Sequence, residues 1–68
     1  MIFHFKNATG TTLAIYGFLD NGTMVFKKSY NVKGMEEFTL PEEVEGVVVR
    51  YTYLKGKTVL DRGVFRRG

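Results

Sequence analysis

The side chains best equipped for chemistry in this chain are few. There is no cysteine, and His4 is the only histidine, so thiolate and histidine-rich metal sites are excluded. A Ser-His-Asp arrangement could draw only on Ser29, His4 and either Asp20 or Asp61, and Ser29 lacks the strand-turn-helix setting that exposes a nucleophile. Neighbouring carboxylates occur at Glu36, Glu37, Glu42, Glu43 and Glu45. A carboxyl used as a general acid needs burial or a tight like-charged partner to raise its pKa, and a solvated acidic segment supplies neither. The glycines sit at turns, and no phosphate loop or dinucleotide fingerprint is present. The expectation is therefore a protein that is not an enzyme, with no catalytic residues, no metal and no cofactor.

Aromatic residues interleaved with cations carry the sharper binding chemistry. Phe and Tyr make up 15% of the chain. Rings offer flat apolar plates while Lys and Arg attract anionic groups, a combination used by single-strand nucleic-acid binders. Tyr16, Phe18, Lys27, Arg62, Arg66 and Arg67 are the binding candidates on this ground. The plainer explanation is that a small β core without Trp fills its volume with Phe and Tyr. A net charge of +3 is a weak footprint for nucleic acid, so that reading stays secondary. Ala14, Tyr16, Phe18 and Val25, with Val48 and Leu54, form a second apolar surface that suits a protein partner or a homodimer seam. Asn7-Ala8-Thr9 and Asn21-Gly22-Thr23 match the N-glycosylation acceptor pattern, and both read first as turn chemistry.

The elements that must position these residues are strands. Met1 to Lys6 alternates, and Thr11 to Leu19 is rich in β-branched and aromatic residues. Asp20-Asn21-Gly22-Thr23 predicts a tight type I′ hairpin. That turn sets Leu19 opposite Met24, Gly17 opposite Phe26, Ile15 opposite Lys28 and Leu13 opposite Tyr30, with Phe26 crossing the bare backbone of Gly17. Its other face pairs Phe18 with Val25, Tyr16 with Lys27 and Ala14 with Ser29. Glu36 to Leu40 predicts a short strand with Phe38 and Leu40 inward. One helical turn fits Leu40 to Gly46, where Pro stands first, acids follow and Gly ends. Gly46 to Leu54 predicts a strand with Val47, Val49, Tyr51 and Tyr53 on one face. Lys55-Gly56-Lys57 is a second tight turn, and Thr58 to Arg66 the last strand, with Arg62 near Tyr51 and Asp61 near Thr52 and Arg50.

About six strands joined mostly by short turns imply an all-β fold: a small antiparallel β-sandwich or a small barrel. The strand spacing resembles that of small immunoglobulin-like sandwiches; the Cys and Trp marks of that family are absent and no functional residue carries over. Sixty-eight residues make one domain, 1–68, with a core that is marginal for its size. The longest aliphatic run, Val47 to Val49, is too short for a transmembrane segment, and no charged leader precedes an apolar stretch, so a cytoplasmic location is expected. Charge is polarised: residues 35–49 hold five glutamates and no base, whereas residues 50–68 hold six bases against Asp61. The leading expectation is a non-catalytic protein-interaction module or self-associating subunit working through an aromatic sheet face and a basic C-terminal edge. The alternative is a small nucleic-acid-binding protein.

Overall fold

The computed structural model of the chain describes residues 2–4, 11–32 and 36–67. Among these residues six strands follow one another: β1 (Ile2–His4), β2 (Thr11–Phe18), β3 (Met24–Asn31), β4 (Glu37–Thr39), β5 (Val48–Lys55) and β6 (Thr58–Arg66). All pairings are antiparallel. Four strands form a sheet in the order β3-β2-β5-β6, and β1 pairs with β4 in a separate two-stranded layer. The result is a small all-β sandwich of unequal sheets, the fold class the sequence predicts. Met1, Lys6 and the Asn7-Ala8-Thr9 turn lie outside the described residues.

The first hairpin forms with a different tip from the one predicted. Gly22 has φ 88 but Asn21 does not have positive φ, so a type I′ turn is absent. Gly22 N–H donates to Leu19 O at 3.0 Å and Leu19 N–H to Thr23 O at 2.9 Å, which closes a three-residue loop. That geometry combines a type I turn with a following left-handed glycine. Phe18 therefore faces Met24 instead of Val25. An irregularity beyond Phe18 takes up Val25 and restores the predicted register from Gly17–Phe26 through Leu13–Tyr30. The second hairpin turns at Gly56-Lys57 as predicted, with Lys55 facing Thr58. A bulge at Leu60 then moves the ladder by one, so Arg62 faces Thr52, Asp61 faces Tyr53 and Gly63 faces Tyr51. A one-residue slip exchanges the faces of every later side chain, which is why these bulges decide what the sheet displays.

The core lies between the two layers. Leu13 and Ile15 from β2, Val49 and Tyr53 from β5, Phe3 from β1, and Val32 and Val44 from connections are buried. Phe3 meets Tyr51 edge-on with ring centroids 4.9 Å apart, and Phe38 of β4 sits 5.2 Å from Tyr30. The small second layer thus closes the core with aromatic volume, the property a short chain without Trp needs. The buried Thr11 is satisfied by Tyr53, whose hydroxyl donates to Thr11 Oγ1 at 3.2 Å. Tyr30 Oη is buried without a hydrogen-bond partner among the described residues. Burial raises its pKa, and the negative charge of Glu43 adds to the rise.

The stretch from Pro41 to Val47 makes a β-turn, with Val44 N–H donating to Pro41 O at 3.2 Å, where one helical turn was predicted; β5 begins at Val48 instead of Gly46. This stretch straps the end of the four-stranded sheet. Lys28 on the β3 edge holds Glu43 (Nζ to Oε1, 3.0 Å), and Arg67 beyond β6 donates to Val44 O and to Gly46 O. In the middle Val47 N–H donates to Phe18 O at 3.0 Å. The strap reaches β2 only because two glycines meet there. A Cβ on Gly17 would stand 1.8 Å from Glu45 O, and one on Gly46 (φ 106) would stand 2.6 Å from Phe18 N. Thus the bare backbone of Gly17 is covered chiefly by the strap, with Phe26 Cβ beside it at 3.2 Å.

Gly17→Ala should cost at least about 3 kcal/mol of folding stability, because backbone rather than a movable side chain occupies the space. Gly22→Ala, which meets nothing within 4 Å but keeps a positive φ, should cost only about 1–2 kcal/mol. Urea unfolding of both variants checks the contrast. Equal, small losses would show that the strap yields.

Candidate functional site on the open face of the sheet

Alternation along four paired strands assigns each side chain to the core or to the opposite face. With Leu13, Ile15 and Val49 inward, the outward positions run in rows across the sheet: Lys27, Tyr16, Arg50 and Val64 in one, and Ser29, Ala14, Thr52 and Arg62 in the next. A third row, Met24, Phe18, Val48 and Arg66, lies at the hairpin-tip end. No layer of this chain covers these rows among the described residues. None of the seven acidic residues falls on them: Asp61 faces Tyr53 on the core side, Asp20 is in the turn, and the glutamates lie between residues 36 and 45. The register therefore produces a face that is aromatic, aliphatic and cationic, without a carboxylate.

The rows surround a concavity of about 590 Å³ lined by Tyr16, Phe18, Arg50, Thr52, Arg62 and Val64 among others. It is a shallow depression open to solvent and not an enclosed pocket. Tyr16 and Phe18 are half-buried. Lys27 Nζ stands 6.0 Å from the Tyr16 ring centroid, and the Arg50 guanidinium 6.0 Å from that of Phe18. These distances sit at the outer limit of cation–π attraction. Each cation thus lies over a ring of this face at the limit of that attraction. Among the described residues, no carboxylate forms an ion pair with Lys27, Arg50 or Arg62. The arrangement can take an anionic group on its guanidinium forks and an apolar ring surface on its aromatics.

Of the six binding candidates named from sequence, Tyr16, Phe18, Lys27, Arg62 and Arg66 share this face. Arg66 is engaged, its guanidinium paired with Asp20 at the neighbouring hairpin tip. Arg67 is elsewhere: its Nε donates to Gly46 O at 2.8 Å and its Nη2 to Val44 O, so its role is to hold the strap. Arg50, which the sequence reading did not select, is central, since it lies opposite Tyr16 and beside Phe18. Its alternation with Val49 and Tyr51 was visible, but its neighbourhood depends on a pairing across more than thirty residues of chain. His4 stands 3.7 Å from Glu37, with both side chains largely exposed. Among the described residues, no three His, Cys, Asp or Glu side chains gather to hold a metal ion, and no helix is long and apolar enough to cross a membrane.

Comparison with known proteins adds what geometry alone does not. The chain is 64% identical over 58 residues, 84% of its length, to a protein of Pyrococcus furiosus named dolichyl-phosphooligosaccharide-protein glycotransferase 2. It is 56% identical over 66 residues, 97% of its length, to the protein of the same name from Pyrococcus horikoshii. In each case it spans only 8% of the relative's length. No family model and no solved structure matches the chain. The two relatives overturn the expectation of a free-standing interaction module or self-associating subunit, and its nucleic-acid alternative. They equally overturn the expectation of a protein that is not an enzyme, since both are named as glycotransferases.

The two arginines named from sequence should separate by thermodynamics. Arg67→Ala should lower stability by about 1–3 kcal/mol, the usual loss when a charged donor leaves carbonyls unpaired. Arg62→Ala should stay within about 0.5 kcal/mol of the parent, as an exposed substitution does. Urea midpoints of the two variants provide the measurement, and an equal effect would contradict the division of roles.

Proposed function

We propose that this chain is a β-domain of a protein glycotransferase and that its open sheet face contacts the phosphate-linked oligosaccharide used as donor. The observation that carries the first part is the 64% identity across 84% of the chain to a protein bearing that name. The second part is supported by the chemistry of the face. A phosphate-linked sugar is anionic at one group and presents apolar C–H surfaces on its rings. Arg50, Arg62 and Lys27 supply charge-assisted donors for the first, and Tyr16 and Phe18 supply flat surfaces for the second.

The electrostatics favour this occupant over a neutral one. Three cations on a surface without carboxylates repel one another, and an incoming anion relieves that repulsion. Arg rather than Lys at the centre suits a phosphate, whose oxygens accept two parallel hydrogen bonds from a guanidinium. The contact would work by orienting the donor, and the reacting centre would lie in the remainder of the larger protein.

The test is a graft. Residues 1–68 replace the matching segment of the Pyrococcus furiosus relative, and transfer of oligosaccharide to an acceptor peptide is followed. The graft should retain transfer within a few-fold of the parent. Charge reversal at Arg50→Glu and Arg62→Glu together should lower it about tenfold, chiefly by raising the donor concentration needed, about 1.4 kcal/mol of lost binding. An inactive graft of normal yield would refute the first part. Full transfer by the charge-reversed graft would refute the second.

A further inference from the structure

We propose that Asn21 is itself an N-glycosylation acceptor. This inference stands apart from the role given to the open face, because it rests on the first hairpin tip alone. Asn21-Gly22-Thr23 has the Asn-X-Thr pattern, with a glycine in the middle. Such a short pattern is common by chance, so the weight falls on its setting. Every residue from Leu19 to Met24 is exposed. The space beside Gly22 is empty, with no atom within 4 Å of where a Cβ would stand. The tip therefore stands out into solvent, the setting a bulky polar glycan needs.

The hydrogen bonding of the turn adds the chemical argument. Asn21 Oδ1 accepts the backbone N–H of Thr23 at 3.0 Å, and Asn21 makes no further hydrogen bond among the described residues. The side-chain oxygen does the structural work, and Nδ2 is left to solvent. In the modification Nδ2 bonds to C1 of the sugar while the bond from C1 to the phosphate oxygen breaks. That oxygen leaves with the electron pair on a polyprenyl phosphate, and one Nδ2 proton passes to a base of the transferase. The product amide keeps its oxygen and one N–H. The Asn21–Thr23 hydrogen bond survives, so the tip keeps its geometry after modification. The reading of this motif as turn chemistry and the acceptor reading are thus compatible, because they use different atoms of one side chain.

The full chain isolated from its native cells is the sample for the test. Trypsin leaves residues 7–27 in one piece carrying both acceptor patterns, so a further cut before Asp20 is needed to separate Asn7 from Asn21. The fragment beginning at Asp20 should carry a hexose-containing mass increment. In the same cells Asn21→Gln should abolish it. Thr23→Val keeps the backbone N–H that holds the turn but removes the hydroxyl, and it should lose the adduct with an unchanged melting temperature. An unmodified Asp20 fragment, an adduct confined to the Asn7 fragment, or an adduct surviving in Thr23→Val would each overturn the proposal.

Discussion

Contact between a carbonyl and a bare strand backbone holds this molecule in shape. Glu45 O sits where any side chain at position 17 would have to go, and Gly46 presses on the backbone of Phe18. Once that crossing is made, the strap is pinned from both edges of the sheet by Lys28 and Arg67, and Val44 drops into the core. The chain from Pro41 to Val47 then acts as part of the second layer, which β1 and β4 alone are too short to complete. A domain of 68 residues buries little surface, so one well-made closure of this kind counts for a large share of its stability.

The same closure makes the sheet one-sided. Everything available for covering β2 and β5 lies on the core face, and the outer rows receive no second layer among the described residues. Met24, Val59 and Val64 are about half or more exposed there, at 49%, 51% and 63%. Such a surface is costly to leave in water. Charge then narrows the occupant. A purely apolar partner would leave Arg50 and Arg62 desolvated without compensation, whereas the phosphate-bearing sugar proposed above would meet both the cations and the rings.

Local rules made much of this legible from sequence, and distance in the chain limited the rest. β-Branched and aromatic runs located all six strands, and the Asn-Gly turn gave the ladder from Gly17–Phe26 to Leu13–Tyr30, including the pairing of Tyr16 with Lys27. The type of the turn was missed because Asp20 and Asn21 form a type I turn as readily, with Gly22 alone taking the left-handed conformation. Leu60 carries no mark of a bulge, so the positions of Arg62 and Asp61 were displaced by one. Pairing of β1 with β4 and of β2 with β5 joins segments far apart in the chain, and nothing in periodicity records it. That gap hid Arg50 from the candidate site and made Arg67 look like a surface charge. The likeness to the glycotransferases was out of reach for another reason: it lies in residue-by-residue identity and not in a motif whose residue types announce a chemistry.

Backbone chemical-shift mapping of the full chain, titrated with a soluble short-chain polyprenyl-phosphate oligosaccharide, tests the central claim most directly. Saturable shifts confined to the outward rows around Tyr16, Arg50, Thr52 and Arg62, weakened by salt and absent with the neutral sugar alone, are the predicted result. Shifts spread over the core-side strap, or none at millimolar ligand, would contradict the assignment of the open face to the donor.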